Sequence, residues 1–200
     1  MLRETDAPAG GVDDAGGPTD GGDRTVEGAD VPVVDGSDVP LVSGSVVADV
    51  YVPDAAPDVV GVAATDFADD VERVTGERPT VTNDAGETAG TLVVAGVAGD
   101  SPVVDRCLAA SDVETGSFAD GGTNGDGEAF GDCRESTVVA TIADPPAEVA
   151  AEHCLLVAGS DRRGAAYGLY ELSKRMGVSP WYWWADVPVD ERESVVVAAG

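Results

Sequence analysis

The sequence predicts an α/β fold of the α+β type, a mixed β-sheet with helices packed on it, preceded by a disordered acidic tail. Short valine-rich runs alternate with segments of helical periodicity, without a strict strand–helix–strand repeat. The 200 residues are 43% hydrophobic, which suffices for one core. Residues 1–38 carry glycine and aspartate runs and no aromatic residue, so they bury too little apolar area to offset the entropy of ordering.

The elements of the domain follow from local patterns. The run VVADVYV at 46–52 is dominated by β-branched residues and predicts a strand. The segment 57–74 predicts a helix that stops at Gly76. Its predicted core face consists of Val59, Val62, Ala63, Phe67, Val71 and Val74. The other predicted elements are strands at 79–82, 91–95, 137–142 and 154–158, a helix at 101–110 and a loop at 111–136.

A further helix is predicted over 162–176. Ser160 or Asp161 can accept hydrogen bonds from the free N–H groups of its first turn. Gly177 can take the left-handed position after its last turn, and Pro180 forbids continuation. The helix is amphipathic and is expected to dock on the core through one narrow stripe, Ala165, Leu169, Leu172 and Met176.

Residues 158–189, called here the signature segment, contain all three tryptophans and three of the four tyrosines. The segment reads AGSDRRGAAYGLYELSKRMGVSPWYWWADVPV. Its run WYWW at 181–184, the aromatic segment, is too bulky for an ordinary exposed loop, so we expect a further surface to cover it.

The signature segment resembles that of the large xylan α-1,2-glucuronidases of glycoside hydrolase family 115. In that family a GSD-(K/R)-RG helix start, a YG-x-Y-x-LS helix and GVSPWYWWADVPV close the N-terminal domain. Arg162 replaces a commoner lysine, and weaker similarity reaches back to about Ser45. The matching residues are Gly159, Ser160, Asp161, Arg163, Gly164, Tyr167, Gly168, Tyr170, Leu172, Ser173 and 177–189.

The resemblance implies that residues 39–190 are the N-terminal domain of such an enzyme and that 191–200 begin a connection to a (β/α)8 barrel. The full enzyme is expected to remove glucuronic or 4-O-methylglucuronic acid from xylan, with inversion and without a cofactor. The family's catalytic carboxylates are expected in the barrel, so this chain alone is expected to lack them. Whether a barrel is encoded after Gly200 stays open.

The resemblance also assigns roles to residues of the signature segment. Asp186 and Trp184 are candidates for the wall of the sugar pocket, although Asp186 has a structural alternative as a buried carboxylate that caps a turn or pairs with Arg162 or Arg163. Adjacent residues of an extended segment point to opposite faces, so about half of the aromatic segment at most can meet one ligand. The residues expected in the seam with the barrel are Trp181, Tyr182 and Trp183. The residues expected to hold the motif structurally are Ser160, Asp161, Arg163, Gly164, Gly177 and Pro180.

Two other functions remain possible from the sequence. The chain could be a non-catalytic accessory or interaction domain that binds a separately encoded barrel, or a truncated gene product without activity. It could also be the N-terminal domain of another barrel glycosidase, such as a family 67 glucuronidase or a β-N-acetylhexosaminidase. The complete WYWWADVP run argues against the latter.

Charge restricts the partners. The chain has 38 acidic and 11 basic residues and a net charge of −27, which argues against nucleic acid and anionic membranes. The acids recur in every segment, including Asp66, Asp69, Asp70 and Glu72, which favours a halophile-type surface. The expected partners are a glucuronosylated oligosaccharide derived from xylan and a barrel domain in cis or in trans.

The sequence gives little support for a catalytic triad, a metal site, a disulfide framework or an export signal. His153 is the only histidine, and the sequence around Ser160 lacks the second glycine of a nucleophile elbow. The acids of 120–128 miss the spacing of a calcium loop, so no metal is expected. Cys107, Cys133 and Cys154 are expected to be reduced thiols because no pairing or metal spacing connects them. The N-terminus shows no export signal, so a cytoplasmic location is expected, with secretion as the alternative if the true start lies elsewhere.

Overall fold

The structure, a computed structural model, describes residues 38–87, 90–111, 113, 130, 133–185 and 187–198. The predicted tail, apart from Asp38, and most of the loop predicted at 111–136 lie outside these residues. The strands are β1 (Val39–Ser43), β2 (Val46–Val47), β3 (Asp49–Tyr51), β4 (Val81–Thr82), β5 (Thr91–Val97), β6 (Thr137–Ile142), β7 (His153–Gly159) and β8 (Val195–Val197). The helices are α1 (Asp58–Thr75), α2 (Pro102–Ala110), α3 (Arg162–Arg175) and α4 (Tyr182–Ala185).

The strands form two sheets. The larger has the order β4-β3-β5-β7-β6, in which β6 runs antiparallel to β7 and the other pairs are parallel. The smaller has the order β2-β1-β8 and is antiparallel. This arrangement confirms the predicted mixed sheet. Among the described helices, none has the length and apolar character needed to cross a membrane.

Helices cover both faces of the larger sheet. Successive residues of a strand point to opposite faces, and those of β5 divide accordingly. Val93 packs in the larger hydrophobic cluster with Phe67 of α1 and Leu169 of α3. Leu92 packs in the second cluster with Cys107 of α2. The helices α1 and α3 therefore share one face, and α2 lies on the other.

The structure differs from the sequence-based picture of the strands at three places. The strand predicted at 46–52 is divided at Ala48, so β2 joins the smaller sheet and β3 the larger. The strand β1 was not expected, because Pro40 and the short length of the run weaken its pattern. Within 191–200, predicted to begin a connection, β8 pairs with β1 and buries Val195 and Val197 in the main core. The domain thus uses these valines itself, and a connection beyond them stays a prediction.

The helix α1 was placed correctly, but part of its predicted core face was wrong. Val59 and Val62 are 39% and 56% exposed. At 100° per residue Val62 lies on the side of the helix away from Val60 and Phe67, whereas Val59 lies at the edge of the buried face, beside Asp70. The helix ends at Gly76 as predicted, with a φ of 80°.

The helix α3 lies unusually close to the sheet, and glycines permit this approach. A Cβ on Gly164 would stand 2.1 Å from the carbonyl oxygen of Ser136, and one on Gly168 would stand 2.4 Å from Oγ1 of Thr137. A Cβ on Gly159 would stand 2.0 Å from the amide nitrogen of Ala165. No side chain fits at such distances, so these glycines of the signature segment are required by packing.

We predict that Gly164→Ala lowers the free energy of unfolding by about 1–3 kcal/mol, because the new methyl group meets a backbone carbonyl that cannot rotate away. Urea unfolding followed by far-UV circular dichroism measures this. The matched control is Gly61→Ala in α1, where nothing lies within 4 Å of the new Cβ. The control should raise stability by roughly 0.5–1 kcal/mol, since alanine is the better helix former. Equal effects of the two changes would contradict the packing argument.

Candidate functional site

The first turn of α3 is capped by Asp161. One of its carboxylate oxygens accepts the N–H groups of Arg163 and Gly164, both at 2.9 Å. The other accepts the N–H of Glu135 at 3.0 Å. The hydrogen bond from Gly164, helped by those from Glu135 and Arg163, lowers the pKa of Asp161. Of the two predicted caps, the structure therefore selects Asp161.

Ser160 extends the pairing between β7 and the chain that enters β6. Its N–H donates to the carbonyl of Ser136 at 2.9 Å, and its Oγ accepts the N–H of Ser136 at 3.0 Å. Arg163 forms an ion pair with Glu135, which precedes Ser136. The start of the signature segment thus fastens α3 to the sheet.

The end of α3 turns the chain toward the aromatic segment. Gly177 has a φ of 103°, and its N–H donates to the carbonyl of Lys174 at 3.0 Å. The N–H of Val178 donates to the carbonyl of Ser173, also at 3.0 Å. Pro180 is exposed in the following turn. Gly177 therefore takes the left-handed position predicted for it.

The aromatic segment is helical, which corrects the expectation that it is extended. The N–H groups of Trp184 and Ala185 both donate to the carbonyl of Trp181, at 3.0 and 2.9 Å. Trp181 is 66% exposed and Trp184 is 83% exposed, whereas Tyr182 is half-buried. The two exposed rings are three residues apart, which is the spacing of one helical turn and not the every-second-residue spacing of a strand. Two large aromatic rings lie on the surface as a result.

Two predicted site residues cannot be placed in this geometry. Asp186 and the side chain of Trp183 lie outside the described residues. The roles expected for them, including pairing of Asp186 with Arg162 or Arg163, therefore stay predictions.

A cavity of about 410 Å³ lies beside the aromatic segment, between α1 and α3. Asp70 and Arg73 of α1 form an ion pair there, and the guanidinium carbon of Arg73 lies 4.6 Å from the ring centroid of Tyr182. This distance permits a cation–π interaction. The polar residues that line this cavity include Asp66, Asp70, Arg73, Tyr170, Ser173 and Tyr182. The ion pair on α1 thus helps to hold α4 in place.

Burial shapes the electrostatics of this cavity. Burial raises the pKa of Asp70, and Ser173 and Arg73 act in the opposite direction. The hydroxyl of Ser173 is close enough to Asp70 to have this effect but makes no hydrogen bond of ordinary geometry. The hydroxyl of Tyr170 donates to Asp66 at 2.7 Å, and burial together with this carboxylate raises the pKa of Tyr170 to about 12.

The sequence pattern alone did not predict this cluster of Asp70, Arg73 and Tyr182. Asp70 was counted among surface acids, yet it is buried. Its position three residues after Phe67 places it beside the apolar face of α1, and a carboxylate at such a position is the signal that could have identified it. Arg73, one turn later, supplies the neutralising charge. Within the described residues, no group of carboxylate, imidazole or thiol side chains is arranged to hold a metal ion.

Comparison with known proteins supports a domain related to glycoside hydrolases. The chain is similar to the solved structure of BtGH115A, a family GH115 4-O-methyl-α-glucuronidase with specificity for decorated arabinogalactans. The TM-score is 0.57 and the sequence identity 26%, over 78% of this chain and 17% of that enzyme. The chain therefore spans a small part of that enzyme's length. It matches no protein-family model and no curated protein.

We predict that Arg73→Met lowers the free energy of unfolding by about 1–3 kcal/mol at neutral pH, because it leaves the buried Asp70 carboxylate without its cation. Adding Asp70→Asn should restore most of the loss, since no buried charge then remains. The matched control is Arg106→Met, which removes an exposed ion pair with Glu148 and should change stability by about 0.5 kcal/mol or less.

The effect of Arg73→Met should also depend on pH. Because the folded-state pKa of Asp70 is raised above its ordinary 3.8, the folded protein takes up this proton before the unfolded chain does as the pH falls. The loss of stability should therefore be largest above the raised pKa and diminish as the pH falls toward 3.8. Urea unfolding at a series of pH values measures it. A loss that persists at acidic pH, or in the presence of Asp70→Asn, would show that packing and not charge explains it.

Proposed function

We propose that this chain is the N-terminal domain of a family GH115 glucuronidase and that its aromatic segment docks against the enzyme's catalytic barrel. The observation that carries the proposal is the similarity to BtGH115A, which extends over 78% of this chain but only 17% of that enzyme. A domain of this size then accounts for one part of a much larger hydrolase. The motifs of the signature segment favour the same family.

The exposed rings support docking. Trp181, which directly precedes α4, and Trp184 within α4 are exposed, and Arg73 contacts the half-buried ring of Tyr182 between them. Tryptophan and tyrosine are enriched in the cores of protein interfaces, where their large rings bury much area at a small entropic cost. Exposed aromatic patches on a small domain favour association with another surface. We assign Trp181, Tyr182 and Trp183 to the seam with the barrel, and Trp184 and Asp186 to the rim of the sugar pocket.

The proposed substrate carries glucuronic acid. BtGH115A is described as a 4-O-methyl-α-glucuronidase acting on decorated arabinogalactans, and the motifs of the signature segment resemble those of xylan α-1,2-glucuronidases. The sugar acid is the feature common to both, so we propose that the full enzyme releases glucuronic or 4-O-methylglucuronic acid. Xylan is the expected backbone, and arabinogalactan is the alternative.

The chemistry is proposed to lie in the barrel. An inverting glycosidase places two carboxyl groups about 6.5–9.5 Å apart, one as acid and one as base. The carboxylates that the structure places in special environments already have structural partners, Asp70 with Arg73 and Asp161 with the first turn of α3. Neither is left available as a catalytic acid or base. The domain is thus proposed to support the active site and not to contain its catalytic pair.

A second candidate function is a non-catalytic interaction domain that binds a separately encoded barrel. The exposed Trp181 and Trp184 favour it equally, because an interface in trans uses the same rings as an interface in cis.

In either case we propose that the acidic surface is adapted to concentrated salt. A charge of −27 would repel an acidic sugar in dilute buffer, and at molar salt the Debye length of about 3 Å removes most of that repulsion.

We predict that replacing Trp181 and Trp184 together by serine leaves the free energy of unfolding within about 0.5 kcal/mol of the wild type, because both rings are already exposed. The same change should reduce self-association of the isolated chain, measured by analytical ultracentrifugation. Tyr167→Ser is the matched control, since Tyr167 is an exposed ring on α3, 46% exposed and outside the aromatic segment. Unfolding of the double variant would place the rings in this domain's own core.

We predict that the isolated chain releases no (4-O-methyl)glucuronic acid from glucuronosylated xylo-oligosaccharides or arabinogalactan oligosaccharides, at low or at high salt. Chromatography of the products measures this.

A family GH115 enzyme from which the corresponding domain has been deleted should regain activity or stability when this chain is added. Turnover by the isolated chain would contradict the proposal. Failure to bind the deleted enzyme would contradict docking in trans, and the serine variant of both tryptophans is the control for specific binding.

A further inference from the structure

A second groove lies at the opposite end of α3 from the aromatic segment. Its volume is about 560 Å³. It opens where β5 and β7 end, beside the first residues of α1 and α3. The residues that define it here as the switch groove are Pro57, Val97, Asp100, Arg134, Ser160 and Arg162.

The topology explains why a groove forms there. The chain leaves β3 for α1 on one face of the larger sheet and leaves the neighbouring β5 for α2 on the other face. Adjacent strands whose connections diverge leave a crevice outside their carboxyl ends. In open α/β sheets such crevices are the usual place for ligands. The groove is thus a consequence of the strand order, independent of the aromatic segment.

The charges around the switch groove are unusual for this chain. Most described cations form ion pairs with carboxylates: Arg73, Arg78, Arg106, Arg163, Lys174 and Arg175. Arg134 and Arg162 are exposed and form no ion pair with any described carboxylate, and both line this groove. Two available guanidinium groups at one cavity stand out in a chain of net charge −27.

The acids of the groove are mostly engaged. Glu135 is paired with Arg163, and the Asp161 carboxylate already accepts three backbone N–H groups. Because Asp161 occupies the N-terminus of α3, that helix end is not itself the binding element. Only Asp100 among the lining acids has no hydrogen bond or ion pair from its carboxylate within the described residues. The positive charge available to a ligand in this groove therefore comes from Arg134 and Arg162.

We propose that the switch groove binds a small oxyanion, a carboxylate or phosphate group held between Arg134 and Arg162. A guanidinium group presents planar pairs of N–H donors that match two oxygens of such a group. The volume accommodates a ligand of the size of a single sugar acid or sugar phosphate, since ligand pockets begin at about 300 Å³. The site lies about 20 Å from the aromatic segment along the 14 residues of α3. It does not depend on the proposed function, so either can fail without the other.

Nuclear magnetic resonance titration of the full chain tests the proposal. Inorganic phosphate and D-glucuronate are added separately at constant ionic strength, with D-glucose as the uncharged control. Backbone amides of 134–136 and 160–164 are followed. The expected result is saturable shifts at these positions with at least one of the two anions and none with glucose. Saturation by phosphate alone would show that the groove prefers a phosphate group, and saturation by glucuronate alone would show that it prefers a sugar acid. Saturation by both would show that it recognises the oxyanion that they share.

Variants decide whether the two arginines hold the anion. Arg134→Gln and Arg162→Gln should each weaken binding about ten-fold, as expected for loss of a charge-assisted hydrogen bond. Arg192→Gln is the matched control, because Arg192 also lacks a described ion pair but lies against Gly177 at the other end of α3. It removes the same charge and should leave binding unchanged. The absence of saturation with both anions, equal shifts with glucose, or equal weakening by Arg192→Gln would overturn the proposal.

Discussion

The close contact between α3 and the larger sheet is the constraint on which the rest of the structure depends. Gly164 and Gly168 let the helix axis approach β6 and β7 to distances that no side chain would allow. Asp161 fixes the start of the helix and ties it to the chain before β6. Once this end is fixed, the length of α3 determines where the chain turns at Gly177 and where the aromatic segment emerges. The cavity beside the aromatic segment is bounded by the end of this helix, and the switch groove, which the strand order creates, is bounded by its start.

The sequence predicted elements whose signals are local and missed those whose signals are distant. The helices α1 and α3 were predicted within a residue or two, because their periodicity and the glycines at Gly76 and Gly177 are read along the chain. The pairing of β1 with β8 joins residues from opposite ends of the domain, and no local pattern encodes it. Asp70 was misjudged for a related reason, since its burial depends on Arg73, on Tyr182 and on the packing of α3 against α1.

The signature segment divides into two physical roles. Its first half supplies a cap, glycines and a buried stripe, all of which serve the domain's own stability. Its second half places Trp181 and Trp184 on the surface, where their rings bury little area within this domain. The sequence suggested both roles but could not locate the boundary, because exposure of the rings depends on the short helix α4, which a run of bulky aromatics does not predict. The proposed docking surface would cover these rings, which is consistent with the tendency of exposed aromatic patches to mark interaction sites.

Fluorescence of the isolated chain tests this division most directly, because every tryptophan lies in the aromatic segment. In a Trp183→Phe variant, emission arises from Trp181 and Trp184 alone. We expect a red-shifted emission whose quenching by acrylamide is nearly as strong in the folded chain as in urea, since the rings are 66% and 83% exposed. A blue-shifted emission protected from acrylamide in the monomeric folded chain would contradict it, because the rings would then belong to this domain's core.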